Sequence, residues 1–221
     1  MNKIKTVLIF LLLTGVLYAQ EQKPAFWNEI QAFKKQDSVS FPPKGEILFV
    51  GSSSFTMWKD VQDYFLAHII INRGFGGSSL TDLIRYANDI ILPYQARQIV
   101  IYCGENDLAA SDTVNAQIVF HRFKKLFELI RIRYPKAEVS YVSMKPSPSR
   151  SHLMPKMAEA NLMIQDFLKK ERKTSFIDVY HSMLKSDGKP MEDIFLEDKL
   201  HMNKKGYAIW QKIIEPYLKN K

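Results

Sequence analysis

A single cysteine, Cys103, stands in 221 residues, so the chain cannot close a disulfide on itself even if it is exported to an oxidising compartment. It adjoins the apolar run 99–102 and reads as a small buried hydrophobe, not as a nucleophile. Histidine is also scarce, with 5 in the chain, and no His or Cys lies at metal-ligand spacing from another. A metal centre is therefore not expected, nor any other cofactor. Lysines occur in pairs, Lys34-Lys35, Lys124-Lys125, Lys169-Lys170 and Lys204-Lys205. No aromatic residues interleave them as a groove for nucleic acid requires, and they read as solvated helix faces. Internal repeats and Pro/Gly-rich linkers are absent too, which leaves a single domain as the expectation.

The one long apolar run lies at the start. Lys3 and Lys5 precede 7–13, and Leu17-Tyr18-Ala19 supplies a small-residue cleavage site. The run is too short to span a bilayer, so the pattern predicts a signal peptide over 1–19, no stable membrane anchor, and export to the periplasm or the exterior of residues 20–221. Formal net charge is +8, of which Lys3 and Lys5 supply two. The remaining excess is modest and would attract acidic surfaces or polymers.

Apolar segments alternate between strand and helix character. Short runs without period-two alternation at 47–50, 68–72, 98–102, 139–142 and 176–179 read as strands covered on both faces. Between them, apolar residues at spacings of three and four predict helices over 25–35, 80–91, 113–134, 157–168 and 204–218. This is the pattern of an α/β fold, a doubly wound, flavodoxin-like, five-stranded parallel sheet with helices on both faces. In such sheets ligands sit beyond the carboxyl ends of the strands. That edge gathers the turns carrying Ser53, Gly77 and Asn106, together with the loop 145–150.

At 47–58 a strand gives way, through Gly51 and three serines, to a helical segment. A serine at such a turn projects its hydroxyl past the sheet edge beside free N–H groups of the helix start, which suits a nucleophile. Helix capping is the ordinary alternative for the same serines. Near the other end, Asp198 precedes His201 by three residues, so its carboxylate can accept from Nδ1 and leave Nε2 as a base. The histidines at 68, 121, 152 and 181 show no acidic partner in a comparable turn.

Four of these turns together resemble the SGNH hydrolases, also called the GDSL esterase/lipase family. GSSSFTMW at 51–58 is similar to the first family block, making Ser53 the implied nucleophile and Trp58 the matching tryptophan. NRGFGGSSL at 72–80 resembles the second block and implies an oxyanion glycine at Gly77. GEND at 104–107 resembles the third and implies Asn106 as a side-chain oxyanion donor. DKLHMNKKGY at 198–207 resembles the fifth and implies Asp198 and His201 as the rest of a triad. Ser52 replaces the usual aspartate, as in a bacterial branch with Gly-Ser-Ser-Ser at this place.

The resemblance implies a serine esterase with no cofactor. The absence of a long insertion that could form a lid favours short acyl groups, acetyl foremost, on a small-molecule, glycan or lipid-like ester. A binding module on the same fold, holding glycan or an acidic polymer without turnover, is the competing class, and it would not require the set Ser53, Gly77, Asn106, Asp198 and His201. In the loop 145–150 two prolines stiffen the backbone, so one of Lys145 and Arg150 is expected to contact an anionic or hydroxyl-rich part of the leaving group, Arg150 being better suited to bidentate contacts, with an ordinary surface loop of solvated charges as the alternative.

Overall fold

Five short apolar stretches form one parallel sheet: β1 (Ile47–Gly51), β2 (Ile70–Gly74), β3 (Gln98–Tyr102), β4 (Glu138–Val142) and β5 (Thr174–Ile177). The computed structural model describes residues 23–220, and the expected signal peptide lies outside the described residues. Strand order is β2-β1-β3-β4-β5, the doubly wound, flavodoxin-like order expected from the alternating pattern. At the carboxyl edge Gly51 pairs with Gly74 on one side and Tyr102 on the other. A Cβ on Gly51 would lie 1.9 Å from the Tyr102 carbonyl oxygen. Only glycine lets β1 end this close to β3 and turn away.

The helices are α1 (Trp27–Val39), α2 (Ser53–Thr56), α3 (Val61–Tyr64), α4 (Leu80–Arg85), α5 (Ala87–Ile90), α6 (Glu105–Ala109), α7 (Ala116–Arg133), α8 (Met154–Leu168) and α9 (Lys204–Ile214). They cover two faces because the strands are apolar on both. Leu48, Val50, Ile99 and Ile101 face a core shared with α1, α4, α5, α7 and α8. Ile47, Phe49, Val100 and Tyr102 face a second, aromatic core with α2, α3 and α9. In that second core Trp58 stacks on Tyr207 at 4.8 Å between ring centroids, and Trp210 meets Tyr102 edge-on at 4.8 Å. The Tyr207 hydroxyl donates to the Ser54 carbonyl at 2.9 Å. Aromatic packing thus fastens the serine turn to the helix that follows His201.

Several boundaries differ from the sequence reading, each for a local reason. β2 begins at Ile70 because Gln62 caps the segment before it, donating to the His68 carbonyl at 2.7 Å and accepting from the Ile70 N–H at 3.0 Å. β5 ends at Ile177 because the Ser143 hydroxyl takes up the N–H groups of both Val179 and Tyr180 at 3.0 Å. The helix expected over 80–91 is broken at Tyr86 into α4 and α5. The Tyr86 hydroxyl reaches back to the Ala25 carbonyl at 2.6 Å and ties this break to the leading segment. α1 starts later and runs longer than expected, with Phe26 left-handed before it at φ 65.

Candidate active site

Ser53 opens α2 directly after β1, half-buried, while Ser52 and Ser54 on either side are buried. Across the cleft, 148 positions along the chain, His201 brings Nε2 to 3.0 Å from the Ser53 hydroxyl. Its Nδ1 meets Asp198 Oδ2 at 2.5 Å. A tight turn presents this pair. Asp198 Oδ1 accepts the N–H groups of Leu200 and His201, each at 2.9 Å, and Lys199, between Asp198 and Leu200, is left-handed at φ 55. Burial alone would raise the Asp198 carboxyl, but the bonds from His201 and from those two N–H groups favour the charged form and hold it at about 2. An anion fixed on Nδ1 leaves Nε2 as the acceptor facing the serine hydroxyl.

The loop after β2 reaches the same place. Phe75 N–H and the Ser78 hydroxyl both donate to the Gly51 carbonyl, at 2.9 and 3.2 Å. Gly77 between them is exposed with φ +83, a left-handed conformation that suits glycine. Neither its N–H nor that of Ser53 has a hydrogen-bond partner among the described residues. Asn106, in the first turn of α6, donates through Nδ2 to Ser52 Oγ at 2.7 Å and to the Ser78 carbonyl at 3.0 Å. Buried Asp107 beside it accepts from Leu80 N–H at 2.9 Å and from Arg122 at 2.7 Å. Burial pushes the Asp107 carboxyl up, and those two donors oppose the shift. Ser53, Gly77, Asn106, Asp198 and His201 are thereby gathered at one sheet edge. This constellation suits acyl transfer: a hydroxyl with a base on it, a carboxylate on the base, and donors near the hydroxyl.

A model of the GDSL-like lipase/acylhydrolase family matches residues 49–209. The chain belongs to that family. Among curated proteins none matches the sequence significantly. Solved structures with the GDSL fold do match. A GDSL-like lipase from Bacteroides thetaiotaomicron superposes with a TM-score of 0.73 at 21% identity, covering 85% of this chain and 96% of that one. A carbohydrate esterase of family 3 from Talaromyces cellulolyticus gives 0.62 at 14% identity, covering 78% and 95%. A mutant of an acetyl-xylooligosaccharide esterase from Geobacillus gives 0.62 at 12%, covering 80% and 98%. At these identities the likeness is one of fold.

Within this GDSL-family site the structure separates the two cations of the loop 145–150 and overturns the expected substrate contact for Lys145. Lys145 is buried, with its ammonium 3.2 Å from Glu105 and no surface to offer a substrate. Burial pushes that ammonium below its ordinary value, and Glu105 opposes the shift. Arg150 is half-buried at the site and donates from Nη2 to Asn106 Oδ1 at 2.9 Å. The apolar character of the preceding strand predicts a loop at the sheet edge, but nothing in a string of residues tells a solvated cation from one paired with the neighbouring GEND turn. The reading of the remaining histidines also needs correction. His181 Nδ1 lies 2.6 Å from Asp178 Oδ2, an i,i+3 pair built like Asp198 and His201. It is exposed and lines a cavity of about 260 Å³ with Ser143, Asn161 and Gln165. A roomier cavity, about 640 Å³, is lined by Arg97, Lys136, Glu138 and Lys173, where the strands begin and not where they end.

Proposed function

We propose that this family member is an exported serine esterase that removes short acyl groups, acetyl foremost, from carbohydrate or lipid-like esters. The observation that carries the reading is the hydrogen-bonded chain from Ser53 Oγ through His201 to Asp198. Ser53 Oγ attacks the acyl carbonyl carbon while its proton passes to His201 Nε2. The tetrahedral oxyanion takes hydrogen bonds from the N–H groups of Ser53 and Gly77 and from Asn106 Nδ2. Collapse breaks the bond to the alcohol, which leaves with the proton from His201. A water, deprotonated by the same imidazole, then attacks the acyl-serine and releases the acid.

Export is supported by the charged and apolar N-terminal pattern alone. The carbohydrate ester is supported by the fold shared with the Talaromyces carbohydrate esterase and the Geobacillus acetyl-xylooligosaccharide esterase. Short acyl groups are supported by Phe26, whose ring lies 3.8 Å from where a Cβ on Gly77 would stand, walling one side of that donor. The test compares the parent, Ser53→Ala, Ser52→Ala and Ser54→Ala on p-nitrophenyl acetate and on acetylated sugars. Turnover should vanish only in Ser53→Ala. A dead Ser52→Ala or Ser54→Ala beside an active Ser53→Ala would give the nucleophile to another serine. A parent that binds acetylated glycan but never turns it over would favour the binding module.

A further inference from the structure

Asn106 can serve as an oxyanion donor only if the right end of its amide faces the reacting carbonyl. An amide can sit either way round with little change of shape, so something must choose. Here three groups meet it, and two of them admit one orientation only. The Arg150 guanidinium has no acceptor, so the atom 2.9 Å from Nη2 must be the carbonyl oxygen Oδ1. The Ser78 carbonyl has no donor, so the atom 3.0 Å away must be Nδ2. Flipping the amide would set NH₂ against a guanidinium and oxygen against oxygen. The second Nδ2 hydrogen is thereby aimed at Ser52 Oγ, 2.7 Å away on the residue before the nucleophile.

We infer that Arg150 is a positioning residue of this site: it locks the Asn106 amide so that Nδ2 and not Oδ1 lies on the serine side, where the hydrogen now held by Ser52 Oγ is the one that turns to the oxyanion, and it strengthens that N–H as a donor. The inference rests on the assignment of Ser53 and Asn106 proposed above. A charged donor on Oδ1 draws electron density out of the amide, which makes the hydrogens on Nδ2 more positive. The gain is largest when full negative charge sits on the oxyanion, so it appears in turnover and not in substrate affinity.

The backbone that carries Arg150 is braced for the task. Pro146 and Pro148 restrict it. Lys145 is tied to Glu105 at 3.2 Å, next to Asn106. Ser149 donates from its N–H at 3.1 Å and its hydroxyl at 3.0 Å to the Lys199 carbonyl, inside the Asp198-His201 turn. One short loop therefore holds the amide donor and the histidine turn in a fixed relation.

Steady-state kinetics on p-nitrophenyl acetate, with melting temperatures, separate this role from its rivals. The variants are Arg150→Met, Arg150→Lys, Asn106→Ala, the double variant Arg150→Met/Asn106→Ala, and Ser53→Ala as a control. Arg150→Met should lower kcat about 10- to 100-fold, bounded by the cost of losing the donor itself, while KM moves by less than about twofold. Arg150→Lys, which keeps a charged donor, should recover part of that loss. In the Asn106→Ala background Arg150→Met should cost less than about threefold, because the group it positions is gone. Three results overturn the inference: kcat unchanged in Arg150→Met, a change in KM alone, or a loss equally large in both backgrounds. If Ser53→Ala turns over at the parent rate, the site assignment itself fails. If Ser53→Ala is dead and Arg150→Met behaves as parent, only the role of Arg150 fails.

Discussion

Three adjacent serines follow Gly51, and what each side chain meets separates them. Ser53 faces His201 Nε2, Ser52 accepts from Asn106, and Ser54 is buried beneath with its carbonyl under Tyr207. Asp198 matters through the imidazole it orients. Asp198→Asn puts an amide on Nδ1, whose NH₂ can favour the wrong tautomer. It should lower kcat on the order of 100-fold or more without a comparable change in KM, read on p-nitrophenyl acetate. The carboxyl, at about 2 when folded against an ordinary 3.8, contributes stability that is present above pH 3.8 and is lost as pH falls from there toward 2. Urea unfolding of the parent and Asp198→Asn should therefore differ most at neutral pH and converge near pH 2. A constant difference across that range would contradict a depressed carboxyl. That Ser53, Asp198 and His201 could meet was legible because spacing and turn chemistry suggest it, and the structure brings the three side chains together. The pairings of Lys145 with Glu105 and of Arg150 with Asn106 were not legible, since each depends on a contact between segments that local sequence does not encode, whereas Asp178 and His181, three residues apart, show the same spacing as Asp198 and His201.

Among the elements, the strands were legible to within a few residues because each is apolar on both faces and ends at glycine or a polar turn. The start of β2 and the end of β5 were not, because Gln62 and Ser143 satisfy backbone groups from outside the ladder. The leading helix α1 reads as generic amphipathic cover, yet Phe26, the left-handed residue just before it, stands beside Gly77. Phe26→Ala should widen that side of the site and raise kcat/KM for p-nitrophenyl butyrate and hexanoate relative to acetate. An unchanged chain-length profile would remove Phe26 from the acyl side. Trp58 links the serine turn to α9 through Tyr207 and Trp210, and it is fully buried. Trp58→Ala should cost about 3–5 kcal/mol, as large-to-small changes of buried aromatics do. At roughly 2–4 °C per kcal/mol for a chain of this size, the melting temperature should fall by about 6–20 °C. A fall of less than about 3 °C would mean that the two elements are held by something else.

For the molecule as a whole, two cores on opposite faces of one sheet leave the carboxyl edge free, and every turn of the candidate site rises from it. The GDSL-family assignment accounts for that edge and for the order of the four turns along the chain. Turnover is proposed to depend on Ser53 as the nucleophile. Reaction with one equivalent of a serine-directed organophosphonate, followed by peptide mapping, tests this most directly. A single adduct on Ser53, formed in step with the loss of p-nitrophenyl acetate hydrolysis, is the expected result. Full loss of hydrolysis with the adduct on another residue, or a stoichiometric Ser53 adduct that leaves hydrolysis intact, would contradict it.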